Sequence, residues 1–313
     1  VTAPPSSLGK KLLTLFLVLF TTSSCGCFLG LRWLVSLDVH SVTPSPEPIP
    51  PPGPFGPRGL HLGTALVPTS TPLSQARTYE WRVDVLDPPE YRVAYGLGES
   101  LVRSLERDHQ AYGRKMRFRA LGPARFTYQA PPGCQTDMRC IYDELMRSNA
   151  EPVRALGNRF VEHIRAQHLG PVEAAELIIT FVQRIHYAEP QGEPFGILPP
   201  ALVAARDQGD CDSKAVLAVM LLRQAGLDAT ILYSDPLSHA AVGVALPVRG
   251  HPFRLGSHVY RYAELTTEGW PLGMIPPQHN KPHLWKVLPA PELPGEAGSQ
   301  AGGVDSARAD DSK

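Results

Sequence analysis

A thiol, an imidazole and a carboxylate in the C-terminal half of the chain, at Cys211, His239 and Glu264, are the residue types of one chemistry. A cysteine acts as a nucleophile when its proton can pass to a base, and a histidine serves as that base when a third group orients its ring. Attack of such a thiol on an amide carbonyl forms a thioester, which water or an amine then resolves. Taken singly, each residue has an ordinary role. A lone cysteine is commonly a small buried hydrophobe, and a lone histidine or glutamate is commonly solvated or structural. The case for chemistry therefore rests on the elements that place the three residues together.

The segment Gly209-Asp210-Cys211-Asp212-Ser213-Lys214-Ala215 runs into Val216 to Leu222, apolar at almost every position, and Gly226 stops it. A helix apolar on all sides is a buried central helix, and a glycine just past its end is a common stop. Cys211 falls at its N-terminus, where unpaired backbone N–H groups and the helix dipole favour negative charge on sulfur or on an oxyanion. Asp210 and Asp212 oppose this, because neighbouring carboxylates raise a thiol pKa. Activation then requires His239.

Residues 229–233 read as a strand and Ser234-Asp235-Pro236 as a turn. From His239 to Leu246 the residues alternate, with His239, Ala241, Gly243 and Ala245 on one face and Val242, Val244 and Leu246 on the other. A further strand over 258–265 puts Tyr260, Tyr262 and Glu264 on one face. A hairpin centred near residue 252 brings Glu264 within about one residue of the position opposite His239. A metal site built from Cys211, His239 and a nearby aspartate lacks the paired ligand spacing of such sites.

These motifs resemble the transglutaminase-like superfamily, a branch of the papain-like cysteine fold. The resemblance covers residues 175–275: Phe181-Val182-Gln183-Arg184-Ile185-His186-Tyr187, the Gly-Asp-Cys-Asp-Ser-Lys run from Gly209, Leu221 to Gly226, His239, and Tyr262-Ala263-Glu264-Leu265-Thr266-Thr267 with Pro271-Leu272-Gly273. The Gly-Asp-Cys-Asp-x-Lys form is similar to a prokaryotic subgroup. The resemblance implies Cys211 as nucleophile, His239 as general base and acid, and Glu264 as the acid orienting the histidine, with no cofactor. Glu264 stands where the third member is often aspartate. Asp212 stands where the cross-linking enzymes carry an aromatic residue, which favours hydrolysis of peptide or isopeptide amides over protein cross-linking. A non-catalytic peptide-binding or scaffolding module of the same fold is the alternative from another class.

The expected fold is α+β. It comprises a helical layer with a central cysteine-bearing helix packed on an antiparallel sheet, preceded by a small antiparallel β module and an N-terminal transmembrane helix. Residues 1–11 would be a cytoplasmic N-terminus and 12–31, free of charge after Lys10 and Lys11, a membrane anchor about 30 Å long. A signal peptide or a lipidated Cys25 or Cys27 are the rival readings of this stretch. The anchor would place an extracytoplasmic body at a membrane. Residues 32–76 contain the proline run from Pro44 to Pro54 and read as an extended linker. Alternation over Tyr79, Trp81, Val83 and Val85, with strands over 115–121 and 125–129, outlines the β module at 77–130. Its Lys115, Arg117 and Arg119 read as one solvated strand face.

The transglutaminase-like domain spans 131–288, opening with helical periodicity from about Thr136 to Arg184, and a polar tail covers 289–313. Cys134 and Cys140 are spaced for a small disulfide loop in an exported protein. Thirty basic and thirty acidic residues leave a formal charge of zero, which gives no general attraction for nucleic acid. The expected partners are a peptide or protein substrate and, through the N-terminal helix, a membrane; the composition carries no sign of oligomeric state.

Overall fold

The computed structural model describes residues 60–67, 73–122, 125–132, 134 and 138–289. All of them belong to one compact unit, Phe55–Lys313. The expected anchor at 12–31 and the proline run lie outside the described residues, as does all but the first residue of the polar tail.

Three strands open the fold: β1 (Leu60–Val67), β2 (Leu73–Arg82) and β3 (Glu90–Gly98). In β2 and just after it, alternation buries Tyr79, Trp81 and Val83, and in β3 it buries Tyr91, Val93 and Tyr95. The order is β1-β3-β2, with β1 parallel and β2 antiparallel to the central strand. Helix α1 (Glu99–Lys115) follows, burying Val102, Leu105, His109 and Gly113 at helical spacing, with Glu99 in its first turn and Arg114 and Lys115 in its last. A short hairpin, β4 (Arg119–Gly122) and β5 (Arg125–Thr127), comes next.

Helices α2 (Arg139–Ser148), α3 (Ala150–Ala166) and α4 (Pro171–Arg184) form the expected helical run, and Pro171 occupies the first turn of α4. Strand β6 (His186–Tyr187), helix α5 (Pro200–Arg206) and strand β7 (Gln208–Gly209) lead to α6 (Cys211–Gln224). The remaining strands are β8 (Ala229–Ser234), β9 (His239–Val244), β10 (Phe253–Leu255), β11 (His258–Ala263) and β12 (Lys286–Leu288). They form a five-stranded sheet in the order β10-β11-β9-β8-β12, antiparallel at every pairing.

One face of this sheet, carrying Ile231, Ala240, Val242 and Ala263, joins the main core with α6. The other face carries Leu232, Ala241, Phe253, Tyr260 and Tyr262 and is covered by Trp285.

The α+β class stands, but the expected arrangement is corrected in four respects. The N-terminal strands are not a purely antiparallel module, because β1 pairs parallel with β3 and the 17-residue helix α1 is part of the same region. Nor do they stand apart from the thiol-bearing half. Trp81 meets Phe181 of α4 edge-on at 5.4 Å, and Tyr95 Oη donates to the Pro152 carbonyl at 2.9 Å, so both regions share one core. Lys115 closes α1, Arg117 lies in a turn with φ of 50°, and Arg119 lies on β4, so the three cations share no strand face. Finally, among the described residues no helix is long and apolar enough to cross a membrane. Cys134 and Cys140 are bonded, with Cα atoms 5.3 Å apart, inside the span such a bond allows.

Candidate active site

Helix α6 begins as its sequence dictates. Asp210 is the N-cap, and its carboxylate accepts the Ser213 N–H at 2.9 Å. Ser213 Oγ in turn accepts the Leu198 N–H at 2.8 Å, and every residue from Ser213 to Leu222 is buried. A Cβ on Gly209 would lie 3.2 Å from both Ser213 Cβ and Val203 Cγ1, so the chain turns into the helix through a position with little room for a side chain. Cys211 is itself buried, with 7 % of its surface exposed.

Histidine 239 opens β9 and lies opposite Ser234 of β8. The β9–β11 register continues to Glu264 opposite Ala241, a diagonal neighbour of His239 on the same face. That is one residue further along than hairpin symmetry about residue 252 suggests, because β10 pairs within the connection. The contact still forms: His239 Nε2 lies 3.3 Å from Glu264 Oε2. A carboxylate can only accept, so Nε2 carries the proton, and in the neutral ring Nδ1 is left with the lone pair of a base.

Glu264 is 1 % exposed and saturated with donors. Tyr262 Oη donates to Oε2 at 2.7 Å, while the Leu265 and Thr266 N–H groups and Thr266 Oγ1 reach Oε1 at 3.0, 2.9 and 2.6 Å. Burial pushes this carboxyl upward, but the His239 contact and the Thr266 donors outweigh it and hold Glu264 well below the usual carboxylate range.

Two residues outside the expected trio support this pair. His279 stacks on His239 with ring centroids 4.0 Å apart, and its Nδ1 lies 3.8 Å from Glu264 Oε2. Trp285 stands edge-on to His239 at 5.9 Å and to Tyr262 at 5.3 Å. A third, Gln183, donates from Nε2 to the Glu264 carbonyl at 2.9 Å, fixing the backbone that presents the carboxylate. Lys214, fully buried on α6, donates to the carbonyls of Ile185 at 2.6 Å and Gln183 at 3.3 Å, satisfying the C-terminal end of α4. Burial lowers its pKa to about 8, against the pull of Glu264 and Glu268. Gln183 and Lys214 are both in the quoted motifs, but only the tertiary packing shows what they touch.

The thiol has different company. Cys211 Sγ donates to Asp212 Oδ2 at 3.4 Å, and sulfur also accepts from the N–H of Ala240, the residue after His239. Among the described residues no hydrogen bond joins Cys211 to His239. Alternation explains the offset: Ala240 faces α6, whereas His239 shares the opposite face with Ala241, beside Trp285 and His279. Burial raises the Asp212 carboxyl, and the Tyr142 and Cys211 donors, followed by the nearby His239, pull against that rise. Burial also pushes the Cys211 thiol well up, and Asp212 and then Asp210 push it further.

Donor atoms of His239, Glu264 and His279 lie within 4.8 Å of one another, as do those of Asp210, Cys211 and Asp212. The Glu264 and Asp210 carboxylates already accept protein donors, and His239 Nε2 faces Glu264 as one of those donors. Compared with protein-family models, curated proteins and solved structures, the chain matches none of them.

Proposed function

We propose that the chain is a thiol-dependent acyl-transfer enzyme acting on peptide or isopeptide amides, a cysteine peptidase or amidase with Cys211 as nucleophile. The observation that carries this is the His239–Glu264 contact. It assigns the proton to Nε2 and leaves the Nδ1 lone pair as the base, on the strand whose next residue, Ala240, hydrogen-bonds the Cys211 sulfur through its N–H. In this reading His239 takes the thiol proton, sulfur adds to the carbonyl carbon, and His239 returns the proton to the departing amine. Water then cleaves the thioester, with His239 again as base. Backbone N–H groups in the first turn of α6 are the donors for the oxyanion. Glu264 orients and stabilises the imidazolium without taking up its proton. The resemblance of residues 175–275 to the transglutaminase-like superfamily supports the same roles, and the Cys134–Cys140 bridge supports an oxidising, extracytoplasmic setting.

A second reading, a non-catalytic peptide-binding module, is favoured by one observation: the sulfur is buried and hydrogen-bonded to Asp212, not to His239. Alkylation of Cys211 by iodoacetamide at neutral pH, followed on the Cys211 peptide, separates the two. The enzyme reading expects labelling of Cys211 that falls by about tenfold or more in His239→Ala. No labelling, or the same rate in both proteins, sinks it. Peptide substrates that leave a trapped thioester on Cys211 would identify the acyl group.

A further inference from the structure

Asp212 occupies the first turn of α6, where an acidic side chain commonly points to solvent and complements the helix dipole. Here it turns inward. Tyr142 of α2, itself 2 % exposed, donates its hydroxyl to Asp212 Oδ1, and Asp212 Oδ2 faces the Cys211 sulfur at 3.4 Å. The carboxylate is thus fixed through one oxygen while the other accepts the thiol proton.

We propose that Asp212, clamped by Tyr142, is a further catalytic residue that acts on the reacting sulfur by retaining its proton at rest, and that His239 receives that proton only once the Asp212 contact is broken or neutralised. This rests on the acyl-transfer reading above. An S–H group donating to a carboxylate is stabilised, whereas a thiolate in the same place meets like charge. The proton balance is simple: it leaves Sγ for Nδ1 of His239 as sulfur adds to the carbonyl carbon, and Asp212 keeps its charge throughout.

The surrounding groups favour the retained proton. Asp210 at the helix cap pushes the thiol up further, although burial and Asp212 raise its own carboxyl to about 7, and the phenols of Tyr187 of β6 and Tyr233 of β8, pushed up by burial, stay neutral near the pair. Lys214, in the first turns of the same helix, directs its ammonium to the Ile185 and Gln183 carbonyls. His239 is close enough to act on Asp212 electrostatically. The site therefore couples nucleophile formation to whatever displaces Asp212, which for a buried sulfur is arrival of the substrate carbonyl.

The test is the pH profile of Cys211 alkylation in the full chain, read on the Cys211 peptide so that Cys25 and Cys27 do not contribute. Asp212→Asn keeps the shape and removes the charge. It is expected to move the midpoint down by about one pH unit, making labelling at neutral pH about tenfold faster. Tyr142→Phe, which leaves the carboxylate in place but unclamped, is expected to move it the same way by a smaller amount, about threefold in rate. An unchanged or upward-shifted midpoint in Asp212→Asn overturns the proposal. Should that variant not fold, an unchanged or upward-shifted midpoint in Tyr142→Phe overturns it instead. His239→Ala in the same series reads the parent reaction separately. If that variant labels like wild type, acyl transfer fails, while the Asp212→Asn shift still reports on proton retention.

Discussion

The two halves of the site are prepared in opposite senses. Around Glu264, donors converge on a carboxylate: Tyr262, Leu265, Thr266 and His239 all direct N–H or O–H groups at it, and its charge is stabilised despite burial. Around Cys211, the thiol donates to the Asp212 carboxylate, and despite the Ala240 N–H its charge is opposed by burial and by two aspartates. The base is assembled before substrate arrives and the nucleophile is not. Both lie buried at helix or strand ends, so depth alone does not separate them. The difference is the sign of the groups each end faces.

Breaking the assembled half should have the largest effect. Glu264→Ala leaves Tyr262 Oη, His239 Nε2 and the Thr266 donors without their acceptor, and removing one member of a buried charged network costs about 3–5 kcal/mol. Urea unfolding at neutral pH should show that loss, and acyl transfer should disappear. Glu264→Gln keeps the bulk and should lose less stability but at least about a hundredfold in kcat/KM, because the orienting charge is gone. The sign of the acid response follows from the depressed carboxyl. Its stabilisation is complete above the ordinary glutamate range and is lost as pH falls toward the lower folded value. Wild type should therefore lose stability more steeply in acid than Glu264→Gln, and equal slopes would mean that the carboxylate carries no such linkage.

Lys214 connects the halves, since it belongs to the cysteine helix and holds the end of α4 from which Gln183 reaches the Glu264 backbone. Its folded pKa of about 8 lies below the ordinary lysine value of 10.5, so the unfolded chain binds more protons between these pH values. Wild-type stability should rise with pH over that window relative to Lys214→Met, by an amount on the order of 2–3 kcal/mol. A flat difference between the two proteins across the window would place the ammonium in contact with solvent.

The chemistry was legible where local rules act alone. Asp210 as a cap, the unbroken apolar run after Ser213 and the stop at Gly226 define the buried helix and its first residue without reference to anything distant. Alternation put His239 and Glu264 on matching faces, and the one-residue error in register came from β10, which pairs inside a stretch that reads as loop. What remained hidden depends on contacts far apart in sequence. Strand β1 pairs parallel with β3, a geometry no hairpin signal announces, and α1 follows directly on a strand with a buried histidine in its apolar stripe. His279 and Trp285 reach His239 only because the chain after Thr266 folds back over the outer face of the sheet. Asp212 was visible as a charge opposing the thiolate; that it is clamped by Tyr142, seventy positions earlier in the chain, was not.

The smallest expected effect tests how far His279 belongs to the assembled half. Its Nδ1 is buried without a hydrogen-bond partner and lies 3.8 Å from Glu264, too long for a strong bond, while its ring lies flat on His239 at 4.0 Å. Burial first and the charge of His239 second lower its pKa, so it resists becoming a second cation beside Glu264. Its contribution is then the stack, which fixes the plane of His239, and not its charge. His279→Phe should preserve that contact and change kcat/KM by less than about threefold, whereas His279→Ala should cost about 1 kcal/mol in stability and a few-fold in rate. Comparing the two variants in one alkylation series, with His239→Ala as the limit, measures the stack directly. If phenylalanine fails where alanine is tolerated, the ring nitrogen matters more than the plane, and His279 must be counted with Glu264 among the groups that hold the base.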